Sequence, residues 1–581
     1  MSMAPTEHEL AAQGQDVTTL LAAFQRTVAR HGSRPALRWR SAGVEHEMTW
    51  DQYAEGASAI AAGLADLGIR RGDHVVLLLR NRPEFYLADT ACLLLGAIPV
   101  SVYLSPAIDA LAQAISNCGA VACIAENALF LDRVRAALKE VKEPRPRLIG
   151  IDDGTAAADV VPFAELYKRP GLDLAAAVSA AQPEHVVTMI YTSGTTGKPK
   201  GVPLTHANLL FSATTLSKRM GVPLSGRRQL SYLPMAHIGE RLATHYLHMF
   251  QGSTVTCCPD LAEFPAMLRA TSPHMLFGAP RMWERLYEGV RARIDADPGL
   301  RERMDDPRLT PSDRRKLLHD VLAEFGLADV EVAIVGSAPL PRHIHEFWLG
   351  LGIPLADCYG QTETGGLATW DPHDIVLGTC GKPFDGIELR IADNGEILVR
   401  SPGVFAGYHA DPAATARVLD PDGWYHTGDL GRLDDGGNLV LQGRMNDVLV
   451  PTSGHNVSPA PLEEKLRRIP GIAHAMVVGH GRPYLAAVLA LDPEWAAEHG
   501  RPGVPLAELA TDPELRSRIE RAIDEINQGL PGAERIRRFV LVSDPWPLAS
   551  DVLTATGKMR RAGIARRYAD LIDAMYEKGP Q

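Results

Sequence analysis

Segments with the periodicity of helices and of strands alternate between residues 51 and 151. In residues 51–67 the apolar side chains recur at 3.6-residue spacing, which predicts a helix that ends at Gly68, and the apolar run 75–79 then predicts a strand. Further helices are predicted at 84–95, 107–117 and 130–141, and further strands at 98–102, 121–124 and 148–151. This alternation is typical of an α/β fold with a parallel sheet. Ligands of such sheets bind beyond the carboxyl ends of the strands.

A stretch rich in glycine and hydroxyl groups follows the next predicted strand, Val186–Tyr191. It reads Tyr-Thr-Ser-Gly-Thr-Thr-Gly-Lys-Pro-Lys-Gly-Val over residues 191–202. Glycines let the backbone approach a ligand closely, and successive N–H groups form an anion-binding nest, so the stretch predicts a polyphosphate site. It is not a Walker A loop, because Thr192 stands where that loop needs a glycine and Pro199 prevents a helix from starting after Lys198. A surface loop made of common loop residues is the alternative.

The composition is that of a globular enzyme with several lobes. The chain has 581 residues, of which 46% are hydrophobic and 22% charged. Its net charge of −11 argues against nucleic acid as the main partner. Seven cysteines without Cys-x-x-Cys spacing predict buried free thiols in a reducing compartment. The N-terminus resembles no targeting peptide, and the longest apolar runs are far too short to span a membrane. We therefore expect a cytoplasmic protein without a transmembrane segment.

The second half of the chain predicts a β-rich region followed by a smaller α+β lobe. Residues 291–320 are highly charged and predict a solvated helical excursion before a strand at Val330–Val335. Beyond it we predict a helix at 344–351, an extended segment at 355–358, β-structure over 385–442, a short strand at 447–450, a helix at 459–468, and strands at 474–479 and 484–491. A final amphipathic helix has an apolar face composed of Ile564, Tyr568, Leu571, Ile572, Met575 and Tyr576.

Four single residues add chemistry suited to a nucleotide. Glu363 lies in the small turn Tyr-Gly-Gln-Thr-Glu-Thr-Gly-Gly and suits Mg²⁺ on phosphate oxygens. Asp429 offers acceptors to both hydroxyls of a ribose, and Arg444 offers a fork of donors. Lys558 follows a Thr-Ala-Thr-Gly segment. Taken alone, each has an ordinary alternative, such as a helix start, a turn aspartate or a surface lysine.

In this order and spacing, the glycine-rich stretch and the four residues resemble the adenylate-forming superfamily of acyl-CoA synthetases, luciferases and peptide-synthetase adenylation domains. The resemblance covers roughly residues 20–577. The segments Ser-Tyr-Leu-Pro-Met-Ala-His-Ile-Gly-Glu-Arg at 231–241 and Gly-Ala-Pro-Arg-Met-Trp-Glu-Arg-Leu at 278–286 are most similar to long-chain fatty acyl-CoA synthetases of the bacterial and "bubblegum" groups.

The resemblance implies a role for each candidate residue. The ATP phosphates would be held by Thr192, Ser193, Gly194, Thr195, Thr196, Gly197 and Lys200. Adenine and the mouth of the acyl tunnel would be lined by Gly336, Ser337, Ala338 and Pro339, and the turn Tyr359, Gly360, Gln361 and Thr362 would bind adenine and the α-phosphate. Asp429 and Arg444 would hold the ribose, and Gly454 would belong to the loop 452–459 on the thioester side. The implied catalytic set is Lys558, Glu363, His237 and Thr196, with Glu363 and Thr196 as Mg²⁺ ligands.

The implied fold is α/β. A large N-terminal lobe, residues 1–443, would contain parallel and mixed sheets with flanking helices and a β-rich subdomain. A small mobile α+β lid, residues 444–581, would turn on a hinge near Asn446. The implied reaction activates a medium- or long-chain fatty acid, or a similarly apolar carboxylate, to acyl-AMP with release of pyrophosphate, and then transfers the acyl group to CoA. ATP and CoA would be co-substrates and Mg²⁺ the cofactor, and collecting fatty acid implies peripheral contact with a membrane.

Two other functions remain open, and two positions depart from the group. An acyl-AMP ligase that loads an acyl carrier protein usually has an altered glycine-rich stretch, which is intact here. A regulatory nucleotide-binding protein without catalysis is disfavoured by Glu363 and Lys558. The hinge position is usually Asp or Lys, but Asn446 still accepts the backbone angles that rotation needs. Ala555 and Gly557 replace residues that stiffen the loop before Lys558 in the long-chain group.

Overall fold

The computed structural model describes residues 17–104, 107–192, 199–304, 306–336, 338, 340–499, 504–547, 550–554 and 557–577. The chain separates into two compact units. The first comprises the residues up to Gly336, Arg342–Arg390 and Leu398–His426, and the second comprises Ser337–Pro341, Ile391–Ile397 and the chain from Thr427 onward. Among the described residues, no helix is both long enough and apolar enough to cross a bilayer.

The first unit contains a seven-stranded sheet built from the alternating segments near the N-terminus. Its strands, in spatial order, are Val160–Pro162, Arg147–Gly150, Ala122–Ala125, His74–Leu78, Ile98–Ser101, Val186–Thr192 and Lys200–Thr205. All neighbours are parallel except the last pair, so the predicted parallel sheet is confirmed. The strand order reverses around His74–Leu78, which opens a crevice at the carboxyl ends.

Helices form where the 3.6-residue periodicity predicted them. They are Trp50–Asp66, Pro83–Leu95, Ile108–Cys118 and Ala128–Leu138. The first begins with a capping box, in which Thr49 and Gln52 each accept a backbone N–H. Apolar side chains such as Val76, Ile115 and Val134 are fully buried between strands and helices. Their burial removes apolar surface from water and fixes the register of the sheet.

The first unit also contains a second seven-stranded sheet. Its strands are Leu355–Asp357, Val332–Val335, Met275–Gly278, Arg228–Ser231, Thr254–Cys257, Pro35–Ser41 and Val44–Thr49, all parallel except the final hairpin. The other helices of this unit are Leu20–His31, Leu174–Ala180, His206–Met220, Ile238–Arg241, Leu247–Gln251, Phe264–Thr271, Pro280–Asp295, Pro298–Met304, Pro311–Leu317, His319–Glu324, Arg342–Gly350 and Pro412–Ala416, with a π-helix at Leu242–Tyr246. Helix Pro311–Leu317 buries none of its side chains, which confirms the solvated excursion.

The β-rich region forms a four-stranded sheet, in the order Glu388–Ile391, Glu396–Arg400, Tyr425–Leu433 and Leu439–Arg444. In the second unit, Ile472–Val478, Leu485–Leu491 and Ile536–Val542 form a three-stranded mixed sheet. Its helices are Ala460–Arg467, Pro493–His499, Leu506–Leu509, Pro513–Gln528, Arg561–Arg567 and Ala569–Glu577. These elements confirm the predicted α+β lobe.

Two predictions for this lobe are wrong. Residues 447–450 do not form a strand: Met445–Asp447 is a 3₁₀ turn, and Leu449 makes only an isolated bridge to Val457. The final amphipathic segment is two helices that meet at Tyr568, whose φ of −113° and ψ of 26° are not helical. Because the segment is not one continuous helix, its residues do not keep a single helical period, and Leu571 is 43% exposed and does not belong to the apolar face.

All seven cysteines are free. Five are buried, as expected, whereas Cys358 and Cys380 are partly exposed.

Candidate active site

The glycine-rich stretch connects two antiparallel strands of the first sheet. Strand pairing places Thr192 directly opposite Lys200, so the two ends of the stretch are adjacent. The first helix after it, His206–Met220, starts only beyond the second strand, which agrees with the exclusion of a Walker A loop. The predicted residues that lie outside the described part of the chain are Ser193, Gly194, Thr195, Thr196, Gly197, Ser337 and Pro339.

The turn that carries Glu363 is tightly wound. The carbonyl oxygen of Gln361 accepts the N–H groups of Thr364 at 3.1 Å and Gly366 at 2.9 Å. A Cβ on Gly360 would lie 2.4 Å from the carbonyl oxygen of Gly366, so no larger residue fits there. This winding directs the Glu363 carboxylate inward, where only 7% of the residue is exposed.

Two tyrosine hydroxyls hold the side chains of this turn. Tyr408 donates to Oε1 of Glu363 at 2.9 Å, and Tyr425 donates to Oε1 of Gln361 at 2.6 Å. The ring of Phe405 lies at an edge to both tyrosines, with centroids 4.9 and 5.8 Å away. Burial and the nearby Glu363 raise the pKa of Tyr408, so its hydroxyl stays protonated and donates. None of these three aromatic residues was predicted from the sequence to belong to the site.

The ammonium of Lys200 lies over the same Tyr408 ring, with Nζ 4.7 Å from the ring centroid. Tyr408 therefore contacts both Lys200 and Glu363, which were predicted separately from segments far apart in the sequence.

Gly336 and Tyr359 come together at the carboxyl ends of two adjacent strands of the second sheet. A Cβ on Gly336 would lie 2.8 Å from Sγ of Cys358, the residue before Tyr359. Tyr359 is 7% exposed, and its backbone pairs with Thr369 in both directions at 3.0 Å. Thr362 follows in the 3₁₀ turn, and Ala338 is exposed. Gly336, Tyr359 and the turn thus form one contiguous region of the first unit.

His237 caps the short helix Ile238–Arg241 and adjoins an aromatic residue that the sequence did not single out. Its Nδ1 accepts the N–H of Gly239 at 3.1 Å, which places the ring proton on Nε2. A Cβ on Gly239 would lie 2.9 Å from Cε1 of Phe277, and one on Gly336 would lie 3.5 Å from Cε2 of the same ring. The partly exposed Phe277 ring therefore lies between the segment of His237 and Gly336.

A buried polar network holds the segment that follows His237. The Glu240 carboxylate accepts hydrogen bonds from Ser231 at 2.7 Å and Thr244 at 3.0 Å, and its burial raises its pKa to about 7. The guanidinium of Arg241 is completely buried and ion-paired with Asp89. Breaking a buried pair by removing one partner is costly, so this segment is rigidly anchored.

Asp429 and Arg444 face each other across two antiparallel strands of the second unit. Nε of Arg444 lies 3.0 Å from Oδ1 of Asp429. The Asp429 side chain is 10% exposed and that of Arg444 is 44% exposed. The structure thus brings together the two residues predicted to hold a ribose.

The remaining candidates lie on turns of the second unit. Lys558 is exposed, and its N–H donates to Oγ1 of Thr554 at 2.9 Å in a turn where Gly557 has φ +78°. Gly454 has φ +79° and donates its N–H to the carbonyl oxygen of Pro451 at 2.9 Å. Asn446 is exposed within the 3₁₀ turn.

The described residues contain no cluster of three or more His, Cys, Asp or Glu side chains that is arranged to hold a metal ion. A lone carboxylate such as Glu363 nevertheless suits Mg²⁺, which commonly uses one or two carboxylates together with water and substrate phosphates.

Comparison with known proteins identifies the family of this chain. Residues 24–409 match the family described as AMP-binding enzyme, and residues 446–580 match the AMP-binding enzyme C-terminal domain. The chain is 33% identical over 574 residues to long-chain-fatty-acid–CoA ligase FadD15 of Mycobacterium bovis, covering 92% of this chain and 93% of that enzyme. It is 27% identical to long-chain-fatty-acid–CoA ligase ACSBG2 of Xenopus laevis, and the match covers 95% of this chain and 83% of that enzyme.

Solved structures share the fold. The anthranilate CoA ligase AuaEII in complex with anthranoyl-AMP superposes with a TM-score of 0.76 at 20% identity, covering 96% of this chain and 98% of that one. The O-succinylbenzoate coenzyme A synthetase MenE of Bacillus subtilis, in complex with ATP and magnesium, superposes with a TM-score of 0.69 at 23% identity. The match covers 93% of this chain and 98% of that one. The predicted α/β fold class is confirmed.

Proposed function

Because the chain belongs to the AMP-binding enzyme family, we propose that it is an ATP-dependent ligase that joins a medium- or long-chain fatty acid, or a similarly apolar carboxylic acid, to CoA. The observation that carries the proposal is the similarity to FadD15, which extends over 92% of this chain and 93% of that enzyme. FadD15 is named for a long-chain fatty acid and for CoA, so both proposed substrates come from this relative.

The proposed reaction begins when the substrate carboxylate attacks the α-phosphorus of ATP. A free carboxylate is a poor acyl donor because its oxygen leaves poorly. The attack forms an acyl-AMP anhydride and breaks the bond to the β-phosphate, so pyrophosphate leaves. Negative charge develops on phosphate oxygens, where donors fixed in advance stabilise it. In this proposal Lys200 and the glycine-rich stretch supply those donors, and Lys558 bridges the carboxylate and the α-phosphate.

We propose that Glu363 and Thr196 would hold Mg²⁺ together with the phosphates of ATP. The buried, hydrogen-bonded carboxylate of Glu363 supports this assignment. When bound, the ion supplies positive charge that offsets the charge of the departing pyrophosphate.

The remaining residues orient the two substrates. Asp429 and Arg444 hold the ribose, Tyr359 and Gly336 adjoin the adenine, and the Nε2 proton of His237 is offered to the acyl carboxylate. Holding both reactants in place is worth up to roughly 7–11 kcal/mol of the barrier in the best cases.

In the second half-reaction the CoA thiol attacks the acyl carbon, a thioester forms and AMP leaves. We propose that residues 444–581 rotate as a lid against residues 1–443 about a hinge near Asn446. Lys558 would then serve the first half-reaction, and the loop 452–459, which contains Gly454, would serve the second.

The test separates the two half-reactions. Purified protein is incubated with ATP, Mg²⁺, CoA and a panel of carboxylic acids, and pyrophosphate and acyl-CoA are measured independently. We expect both products with fatty acids of at least one chain length. If pyrophosphate forms but acyl groups reach only an acyl carrier protein, the chain is instead an acyl-AMP ligase. The absence of pyrophosphate with every acid would contradict both functions.

Two features complete the proposal, namely a cytoplasmic location and peripheral contact with membranes to collect fatty acid. Flotation of the protein with fatty-acid-loaded vesicles would test the second, and failure to float would contradict it.

A further inference from the structure

We infer that Tyr408 is a positioning residue that aligns Glu363 and Lys200 with the magnesium-bound phosphates of ATP. This inference rests on the proposed function, and it adds a residue to which neither the sequence nor the family resemblance assigned a role.

The first support is the pair of side-chain contacts that Tyr408 makes. Its hydroxyl donates to Glu363 at 2.9 Å, and its ring lies under the Lys200 ammonium at 4.7 Å. One side chain therefore restrains a carboxylate through a hydrogen bond and a cation through the face of its ring.

The second support is that the backbone around Tyr408 is bonded to both site elements. The N–H of Phe405 donates to the carbonyl oxygen of Glu363 at 2.9 Å, and the N–H of His409 donates to the carbonyl oxygen of Gly201 at 2.8 Å. Segment 405–409 thus links the turn that carries Glu363 to the strand that begins at Lys200.

The third support is that Tyr408 itself is held in place. Its N–H donates to Oγ1 of Thr415 at 2.9 Å, and that hydroxyl donates to the carbonyl oxygen of Asp411, also at 2.9 Å. The ring of Phe405 packs edge-on against Tyr408. A side chain fixed in this way can fix others, because its own rotamer is already determined.

The two functional groups of Tyr408 can be removed separately. Tyr408→Phe removes the hydroxyl and keeps the ring over Lys200, whereas Tyr408→Leu removes both. Tyr425→Phe is the comparison variant, because it removes a neighbouring hydroxyl that donates to Gln361 and borders the Tyr408 hydroxyl. Thermal unfolding of each variant shows whether the fold is retained.

The readout is ATP binding, measured by calorimetry without fatty acid or CoA, in EDTA and over a series of Mg²⁺ concentrations. We expect Tyr408→Phe to leave the affinity for ATP in EDTA unchanged and to weaken the Mg²⁺-dependent gain in affinity by roughly 10- to 150-fold, the scale of one hydrogen bond to a charged group. Tyr408→Leu should also weaken binding in EDTA by about threefold, the scale of an exposed cation–π contact. Tyr425→Phe should change the Mg²⁺ dependence less than Tyr408→Phe does, because its hydroxyl donates to Gln361.

A double-mutant cycle with Glu363→Gln makes the test specific to that carboxylate. If Tyr408 acts through the carboxylate, Tyr408→Phe should have no further effect on Mg²⁺ dependence in the Glu363→Gln background. An undiminished effect there, or an unchanged Mg²⁺ dependence in Tyr408→Phe, would overturn the inference while the wild-type protein still binds Mg²⁺ and ATP. If the wild-type protein binds no ATP, it is the proposed function that fails.

Discussion

Replacing Asp429 by Asn should weaken nucleotide binding through the ribose alone. The Asp429 side chain is 10% exposed and lies 3.0 Å from Arg444, whose side chain is 44% exposed. Ion pairs with one such solvated partner contribute about 0–1 kcal/mol to stability, so the fold should tolerate the change. Hydrogen bonds to a charged group are worth about 1.5–3 kcal/mol. Asn retains one acceptor oxygen and presents an amide N–H₂ to the second hydroxyl.

We therefore expect a loss of about 2–3 kcal/mol, which corresponds to a roughly 30- to 150-fold higher dissociation constant for ATP. Calorimetry measures it directly, and 2′-deoxy-ATP and 3′-deoxy-ATP add a ligand-side comparison. These analogues should bind the wild-type protein more weakly than ATP does. In Asp429→Asn, at least one of the two analogues should bind almost as tightly as ATP binds to the same variant.

Asp435→Asn is the matched control, because Asp435 is an exposed carboxylate on the same β-hairpin. It should leave all three affinities unchanged. If Asp429→Asn lowers the affinities for ATP, 2′-deoxy-ATP and 3′-deoxy-ATP by the same factor, the residue does not contact the ribose. That result would refute the assignment even if overall affinity falls.

Three further predictions concern other residues. Lys558→Ala should abolish acyl-adenylate formation but spare thioester formation from a supplied acyl-AMP; equal loss of both half-reactions would contradict that division of roles. Phe277→Ala should change the preferred acyl chain and raise KM for the acid while KM for ATP stays constant, because the ring lies between the segment of His237 and Gly336; an unchanged acid profile would exclude this. Burial lowers the pKa of His206 to about 3. Below about pH 6.5 the unfolded chain therefore binds a proton at this histidine and the folded chain does not. The free energy of unfolding consequently decreases as the pH is lowered, by about 2 kcal/mol at pH 5. His206→Asn, which keeps an acceptor for the N–H of Leu20, should remove that portion of the pH dependence in denaturant unfolding; an identical pH dependence would contradict it.

The sequence predicted the first sheet well because its signals are local. A strand such as His74–Leu78 is a short apolar run between helices of regular period, and its bounds came out within a residue. Prediction failed where local signals mislead. Residues 447–450 have the composition of a strand, but they adjoin a turn, and Leu449 forms only an isolated bridge to Val457. Leu571 fits the helical period only if the helix continues through Tyr568, where it breaks.

Some residues of the candidate site could be predicted from the sequence, and others could not. Glu363, Asp429, Arg444 and Lys558 lie in short segments that a known family shares, so resemblance alone nominates them. Tyr408 and Phe277 have no such signal, since a tyrosine after a glycine and a phenylalanine at a strand end are common. Their importance comes from contacts with residues 38 and more positions away, which only the folded chain reveals.

The hairpin that contains the glycine-rich stretch has a consequence for how anions are attracted. In a loop that leads directly into a helix, the helix dipole adds a fixed partial positive charge at the phosphate. Here a six-residue strand, about 20 Å of extended chain, separates the end of the stretch from the first turn of helix His206–Met220. The dipole fades within one turn, so its field does not reach that end. Long-range attraction then rests on side-chain charge such as that of Lys200, which dissolved salt screens, while the backbone N–H groups act only at close range. Nucleotide capture by this protein should accordingly slow as ionic strength rises.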